Sequence, residues 1–203
     1  DGLLDALYHA EGRCVPKASY TEYNLDGEIT TDAFVYEYTL KDHLGNSRLT
    51  FADWDNDGQI DVDYTNPSKM EILQENHYYP FGMQMDMPNL QVGTHNDYTY
   101  NGKEMNSDFG LNLSDYGARW YDGSIGRWCG VDPLAEKYLS YSPYNYVFNN
   151  PLKFVDPDGR SHILYLVFKE GDKRAKRISE RTQDALNKNN INLSVQVMYV
   201  GKD

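Results

Sequence analysis

Cysteine is nearly absent from this chain: Cys14 and Cys129 are the two in 203 residues. They show neither a CxxC pair nor metal-type spacing, so zinc is not indicated and one disulfide at most is available. Long apolar runs are missing too, and nothing approaches the roughly 18 residues a membrane-spanning helix needs. The chain begins at Asp1 without Met, a charged leader or an apolar leader segment, so any secretion signal is expected upstream or not at all. Positive charge is scarce in residues 1–160, where 11 Lys and Arg face 26 Asp and Glu. Such a surface does not suit nucleic acid, because phosphate contact needs clustered cations. Residues 161–203 reverse the balance, with 8 basic and 5 acidic residues. That tail carries no HxxxH, nucleophile elbow or metal cluster, so nothing in it names a nuclease or peptidase.

What is abundant is tyrosine, 18 residues, together with 16 Gly, at a mean hydropathy of −0.72. Tyrosine suits strands with one wet face, since its ring is apolar and its hydroxyl reaches a partner. From Phe34 the alternation is sharp: Phe34, Tyr36, Tyr38 and Leu40 share one face and Val35, Glu37 and Thr39 the other, the period of a strand. The turn sequence DHLGNS then leads into RLTF, and His43 reads as a turn residue with no nucleophile beside it. From Asp97 to Arg160, aromatic pairs are each followed closely by Gly, Asn or Pro, the punctuation of short hairpins. A weak strand pair is expected near Leu4–Tyr8 and Arg13–Val15, and a helical turn over Ala135–Leu139 after Pro133. Residues 34–125 are expected to form short antiparallel strands in one curved sheet. Beyond Gly159 the pattern becomes strand (His162–Phe168), helix (Asp172–Lys188) and strand (Ile191–Val200), a β-α-β unit. The fold class is therefore mainly β, with a short α/β tail.

Two stretches carry candidate chemistry. In the first, Asp53, Asp55, Asp57 and Asp61 occupy loop positions 1, 3, 5 and 9, with Gly58 at 6 and Gln59 offering a backbone carbonyl, an oxygen-rich arrangement that could hold calcium. Tyr64 stands where a bidentate Glu would complete an EF-hand, and the same residues read equally well as a solvated acidic turn. In the second, Asp132 of VDPLAEKY and Asp156 of VDPDGR head two Asp-Pro motifs 24 residues apart, and Arg119 lies 13 residues before the first. Taken singly, Asp-Pro and Asp-Pro-Asp-Gly are good type I turn sequences.

The blocks YTLKDHLGNSRLTF, YYPFGM, YTYNGKE, LSDYGARWYDGSIGRW and VDPLAEKYLSYSPYNYVFNNPLKFVDPDGR together resemble the repeat-associated core of rearrangement-hotspot (Rhs) and tyrosine-aspartate (YD) repeat proteins, in its Bacteroidetes-like variety, over residues 34–160. The resemblance implies three parts. Residues 1–33, with HAEGR, would be the end of an upstream β-shell, residues 34–160 the core that closes it, and residues 161–203 the truncated start of a variable toxin. It also implies a role for the acidic pair: Asp132 and Asp156 as a self-cleaving aspartyl dyad, with Arg119 assisting and Asp158 as rival to Asp156. Two close carboxylates push their pKa values apart, so one acts as base while the other donates. Cleavage is expected near Arg160, releasing the toxin from a secreted or cell-surface bacterial protein. The implied partners are the chain's own C-terminal segment, the upstream shell and an immunity protein. The rival reading is a non-catalytic wall segment of a secreted or surface YD-repeat protein, with or without calcium in the acidic loop.

Overall fold

The computed structural model describes residues 7–9, 11–16, 34–55, 57–66, 69–86, 95–160, 162–188 and 193–200. Two compact units divide the chain, one of residues 1–77 with 84–99, the other of residues 78–83 with 100–203.

In the first unit, β1 (Leu7–His9), β2 (Gly12–Pro16), β3 (Phe34–Lys41), β4 (Ser47–Phe51) and β5 (Ile72–Glu75) form an antiparallel meander in sequence order. The strand pair expected near the start is β1 and β2; its residues 4–6, and Ala10 of HAEGR, lie outside the described residues. Gly12 is dictated by contact, because a Cβ there would sit 1.8 Å from the Glu37 carbonyl on β3. The β3–β4 hairpin is built by Asp42, whose Oδ1 accepts from the Leu44 and Asn46 amides at 2.9 and 3.1 Å while His43 stays exposed. Alternation on β3 turns out to bury Val35 and Glu37 and to leave Tyr36, Tyr38 and Leu40 exposed, so the tyrosine face is the wet one. Val15, Val35, Ala52 and Leu73 pack beneath, with Trp54 against them. Glu37 survives there because Arg13 of β2, also buried, pairs with it through Nε.

The second unit holds β6 (Glu104–Asn106), β7 (Leu113–Asp115), β8 (Trp120–Asp122) and β9 (Arg127–Trp128), an antiparallel sheet in sequence order. The strands of residues 34–125 thus divide between two sheets and not one as expected, because period-two alternation shows strands without showing which strands share hydrogen bonds. Here tyrosine goes inside: Tyr78, Tyr100, Tyr116, Tyr121, Trp128, Tyr146 and Val147 form the core. The hydroxyls are satisfied within it, Tyr121 donating to the Phe81 carbonyl at 2.7 Å and Tyr146 to Asn101 Oδ1 at 2.7 Å. Asn101 takes the left-handed backbone its turn requires (φ 52°) and also accepts from Tyr116 at 2.7 Å.

After a short 3-10 turn at Ala135–Lys137, β10 (Phe154–Val155) pairs antiparallel with β11 (His162–Lys169). The helix α1 (Ala175–Lys188) returns the chain to β12 (Leu193–Val200), parallel to β11, the β-α-β order expected; Ile191 lies outside the described residues. Both cysteines are free thiols. Among the described residues no helix is long and apolar enough to cross a membrane.

Candidate active site

Arg119 sits between the β7 and β8 strands, in the turn Tyr116–Arg119 that Tyr116 closes by donating its amide to the Arg119 carbonyl at 3.2 Å. Its guanidinium stacks on the Trp128 ring, 4.1 Å from the centroid, which holds the charge in place in an apolar setting. From there Nη2 donates to Asp132 Oδ2 at 3.3 Å and to Asp156 Oδ2 at 3.4 Å. The three residues proposed from sequence therefore meet, and they do so nearly sealed from solvent: Arg119 is 5% exposed, Asp132 8% and Asp156 0%.

Each aspartate also builds its own turn. Asp132 Oδ1 accepts from the Leu134 amide at 2.7 Å; Asp156 Oδ1 accepts from the Asp158 and Arg160 amides at 3.3 and 3.1 Å. Turn chemistry and convergence on Arg119 thus use different oxygens of the same carboxylates. Burial pushes the Asp156 carboxyl up to about 7, against the pull of its amide donors and of Arg119. The same desolvation draws the Arg119 guanidinium down from its usual value, with both aspartates opposing. A proton on Asp156 lessens the charge that burial penalises. Asp132 differs in that it also lines a small pocket with Ala135, Tyr138, Tyr141, Ser142 and Phe148.

The peptide after Gly159 lies against these groups. Arg119 Nε donates to the Gly159 carbonyl at 2.6 Å, and the Arg160 amide nitrogen of the same peptide is 3.1 Å from Asp156 Oδ1. Gly159 has φ 73°, and a Cβ there would come within 3.1 Å of the Arg119 nitrogen and 3.3 Å of Tyr116 Cβ, so close approach of the two segments selects glycine. Asp158, the rival, accepts from the same Arg160 amide through Oδ1 at 3.0 Å and is exposed where Asp156 is buried.

The acidic loop resolves differently. Asp53, Asp55 and Asp57 bring carboxylate oxygens within 4.8 Å of one another. Asp61 does not join them, a correction to the four-carboxylate expectation, because its backbone is turned onto Glu71. The Asp61 amide donates to Glu71 Oε2 at 2.8 Å and its carbonyl accepts from the Glu71 amide at 2.9 Å. Gln59 uses its amide on Asp57 Oδ1 at 2.7 Å, and Gly58 donates to Asp53 Oδ2 at 3.0 Å. Glu71, 1% exposed, also accepts from the Trp54 amide at 3.0 Å and so ties both ends of the loop; an isolated Glu at a strand entry gives no sequence signal of that role.

No family model matches the chain. It is similar to salivary gland surface protein 1 of Aedes aegypti, 32% identical over 132 residues, which are 65% of this chain and 3% of that protein. It is also similar to two toxin subunits of Yersinia entomophaga. YenC1 is 29% identical over 159 residues, 77% of this chain and 14% of the subunit, and YenC2 is 31% identical over 98 residues, 47% and 10%. The solved structure of TcdB2-TccC3-Cdc42 matches 76% of the chain and 6% of its own at 24% identity, with a TM-score of 0.48. The chain thus spans a small part, 3 to 14%, of the curated relatives it matches.

Proposed function

We propose that this chain is an Rhs-type core segment, of the Bacteroidetes-like variety, that closes a β-shell and cuts itself once near Arg160. The observation that carries the reading is the Gly159–Arg160 peptide, whose carbonyl oxygen accepts from Arg119 Nε while its N–H donates to Asp156 Oδ1. Similarity to two toxin subunits supports a place in toxin delivery. In the proposed step Asp132, which lines the small pocket, takes a proton from a water molecule whose oxygen adds to the Gly159 carbonyl carbon. Arg119 holds the oxyanion. Addition makes the Arg160 nitrogen pyramidal and basic; its lone pair then turns to Asp156, about half protonated near pH 7, takes that proton, and the C–N bond breaks. Gly159 ends as a carboxylate and Arg160 as a free amine. Residues from 161 onward would then belong to the released effector, with the upstream shell and an immunity protein as partners of a secreted or surface-exposed bacterial protein.

The test is a full-length chain carrying the upstream region, with Asp132→Asn and Asp156→Asn as variants that keep the turns. Wild type is expected to give two fragments meeting at Gly159 and Arg160 by mass, and each variant to slow cleavage about 10²–10⁴-fold. Variants cut as fast as wild type would sink the dyad, and an intact wild-type chain would leave a wall segment without catalysis.

Calcium in the acidic loop is a second proposal. Its support is the trio Asp53, Asp55 and Asp57 together with Asp53 Oδ1, which is buried and has no hydrogen-bond partner among the described residues. Carboxylate oxygens suit a hard cation, and three of them without Asp61 suit weak binding.

A further inference from the structure

The segment carrying the Gly159–Arg160 peptide is gripped along its length, not only at the bond to be cut. Lys103 Nζ donates to the Pro157 carbonyl at 2.7 Å, the Ala118 amide to the Asp158 carbonyl at 3.2 Å, and Arg119 Nε to the Gly159 carbonyl at 2.6 Å. Three successive carbonyls meet three donors. Two of those donors come from the Tyr116–Arg119 turn already described, but Lys103 comes from elsewhere in the unit. It follows the left-handed pair Asn101 (φ 52°) and Gly102 (φ 65°), and its amide closes that turn onto the Tyr100 carbonyl at 3.0 Å. Its ammonium lies 5.3 Å from the centroid of the Tyr116 ring, a wall fixed in the aromatic core. Ring and carbonyl together hold the ammonium where a free lysine would wander.

Resting on the self-cleavage reading above, we propose that Lys103 is a positioning residue: it sets the register of residues 157–160 so that the Gly159 carbonyl, and not a neighbour, faces Arg119. A one-residue slip moves the chain by about 3.3 Å, enough to break every one of these hydrogen bonds. Gly159 already disfavours a slip by space and backbone, since at φ 73° a Cβ in its place would lie 3.1 Å from the Arg119 backbone nitrogen. Lys103 adds the attraction that holds the fitting register closed. After the cut, the same three donors keep the Asp156–Gly159 tail seated, which makes the site its own occupant and limits it to one turnover.

The experiment uses the full-length chain with Lys103→Met, which keeps the stem and removes the donor, and Lys103→Arg, which restores one. The methionine variant is expected to cleave about ten- to a hundred-fold more slowly, with part of its fragments ending away from Gly159, while the arginine variant returns to the wild-type end. In the uncut Asp156→Asn background, adding Lys103→Met is expected to speed hydrogen exchange at the Arg160 amide with the thermal midpoint nearly unchanged. A purely structural lysine would lower the midpoint and leave the cut position alone. Wild-type rate and wild-type ends in Lys103→Met overturn the proposal, as does unchanged exchange in the uncut background. If the wild-type chain stays intact while Arg160 loses protection in the methionine variant, self-cleavage falls and Lys103 is a clamp with nothing to position.

Discussion

Two buried arginines, one in each unit, meet their carboxylates in opposite ways. Arg13 pairs with Glu37 on adjacent strands of a regular meander, each 5% exposed or less. Arg119 faces two aspartates carried by two separate turns, and the Asp156 carboxyl is pushed up to about 7. A cation with one anion is electrically complete, and the first pair holds strands together. Burial of the Asp156 carboxyl in this cluster gives it a proton that is gained and lost near neutral pH, and a proton of that kind is what acid-base chemistry requires.

Removing the cations should break this contrast most strongly. Arg119→Met is expected to abolish cleavage and to destabilise the fold by about 3–5 kcal/mol at neutral pH, the cost of leaving buried charge uncompensated. Arg13→Met should cost a similar amount, yet replacing Arg13 and Glu37 together by Met and Leu should come out near neutral or better, since a paired apolar substitute often equals a buried ion pair. The second arginine site admits no such repair without losing the reaction. Urea unfolding of the four chains, alongside fragment analysis, distinguishes the two sites.

The next effect is smaller and depends on pH. Asp156 binds its proton more tightly folded, at about 7, than its ordinary value of 3.8. The stability that protonation contributes is therefore fully present below about pH 4 and is lost as pH rises through 7, at up to about 1.4 kcal/mol per pH unit within that window. Asp156→Asn removes this dependence, so the variant is expected to be less sensitive than wild type between pH 4 and 7 and more stable than wild type at pH 8. Parallel unfolding profiles in which the two chains keep a constant difference across that range would contradict the raised Asp156 carboxyl.

How much of this could be read in advance follows from the same comparison. Spacing and resemblance singled out Arg119, Asp132 and Asp156, because each sits in an ordered block with its own turn signature, and the structure brings them within hydrogen-bond reach. The alternation of β3 and the β-α-β tail were legible from periodicity. The Arg13–Glu37 pair was not, since period two tells which residues share a face but not which face is buried; on β3 the tyrosines proved to be outside. In the second unit the same residue type fills the core, because there Asn101 and backbone carbonyls receive the hydroxyls. Lys103 and Glu71 were invisible for a related reason: both act on backbone groups brought near by folding, and no residue spacing encodes a carbonyl partner.

The smallest expected effect concerns a third way of assembling carboxylates, on the surface. Asp53, Asp55 and Asp57 converge without an arginine, and Asp55 and Asp57 spend oxygens on amides two residues along. Solvent screens such a cluster, so it persists at little cost where the buried dyad could not. Calcium would add to it weakly: at a millimolar concentration and a Kd of 10⁻⁴ to 10⁻³ M, the gain is about 0.4–1.4 kcal/mol. Because Asp55 is exposed, Asp55→Asn should leave the calcium-free midpoint nearly unchanged and cancel the calcium-dependent rise. Glu71→Gln should act the other way, lowering the midpoint with or without calcium, since it loosens both ends of the loop while leaving the trio in place. A rise on adding calcium that survives Asp55→Asn, or the lack of any rise in wild type, reduces the loop to an acidic turn tied down by Glu71.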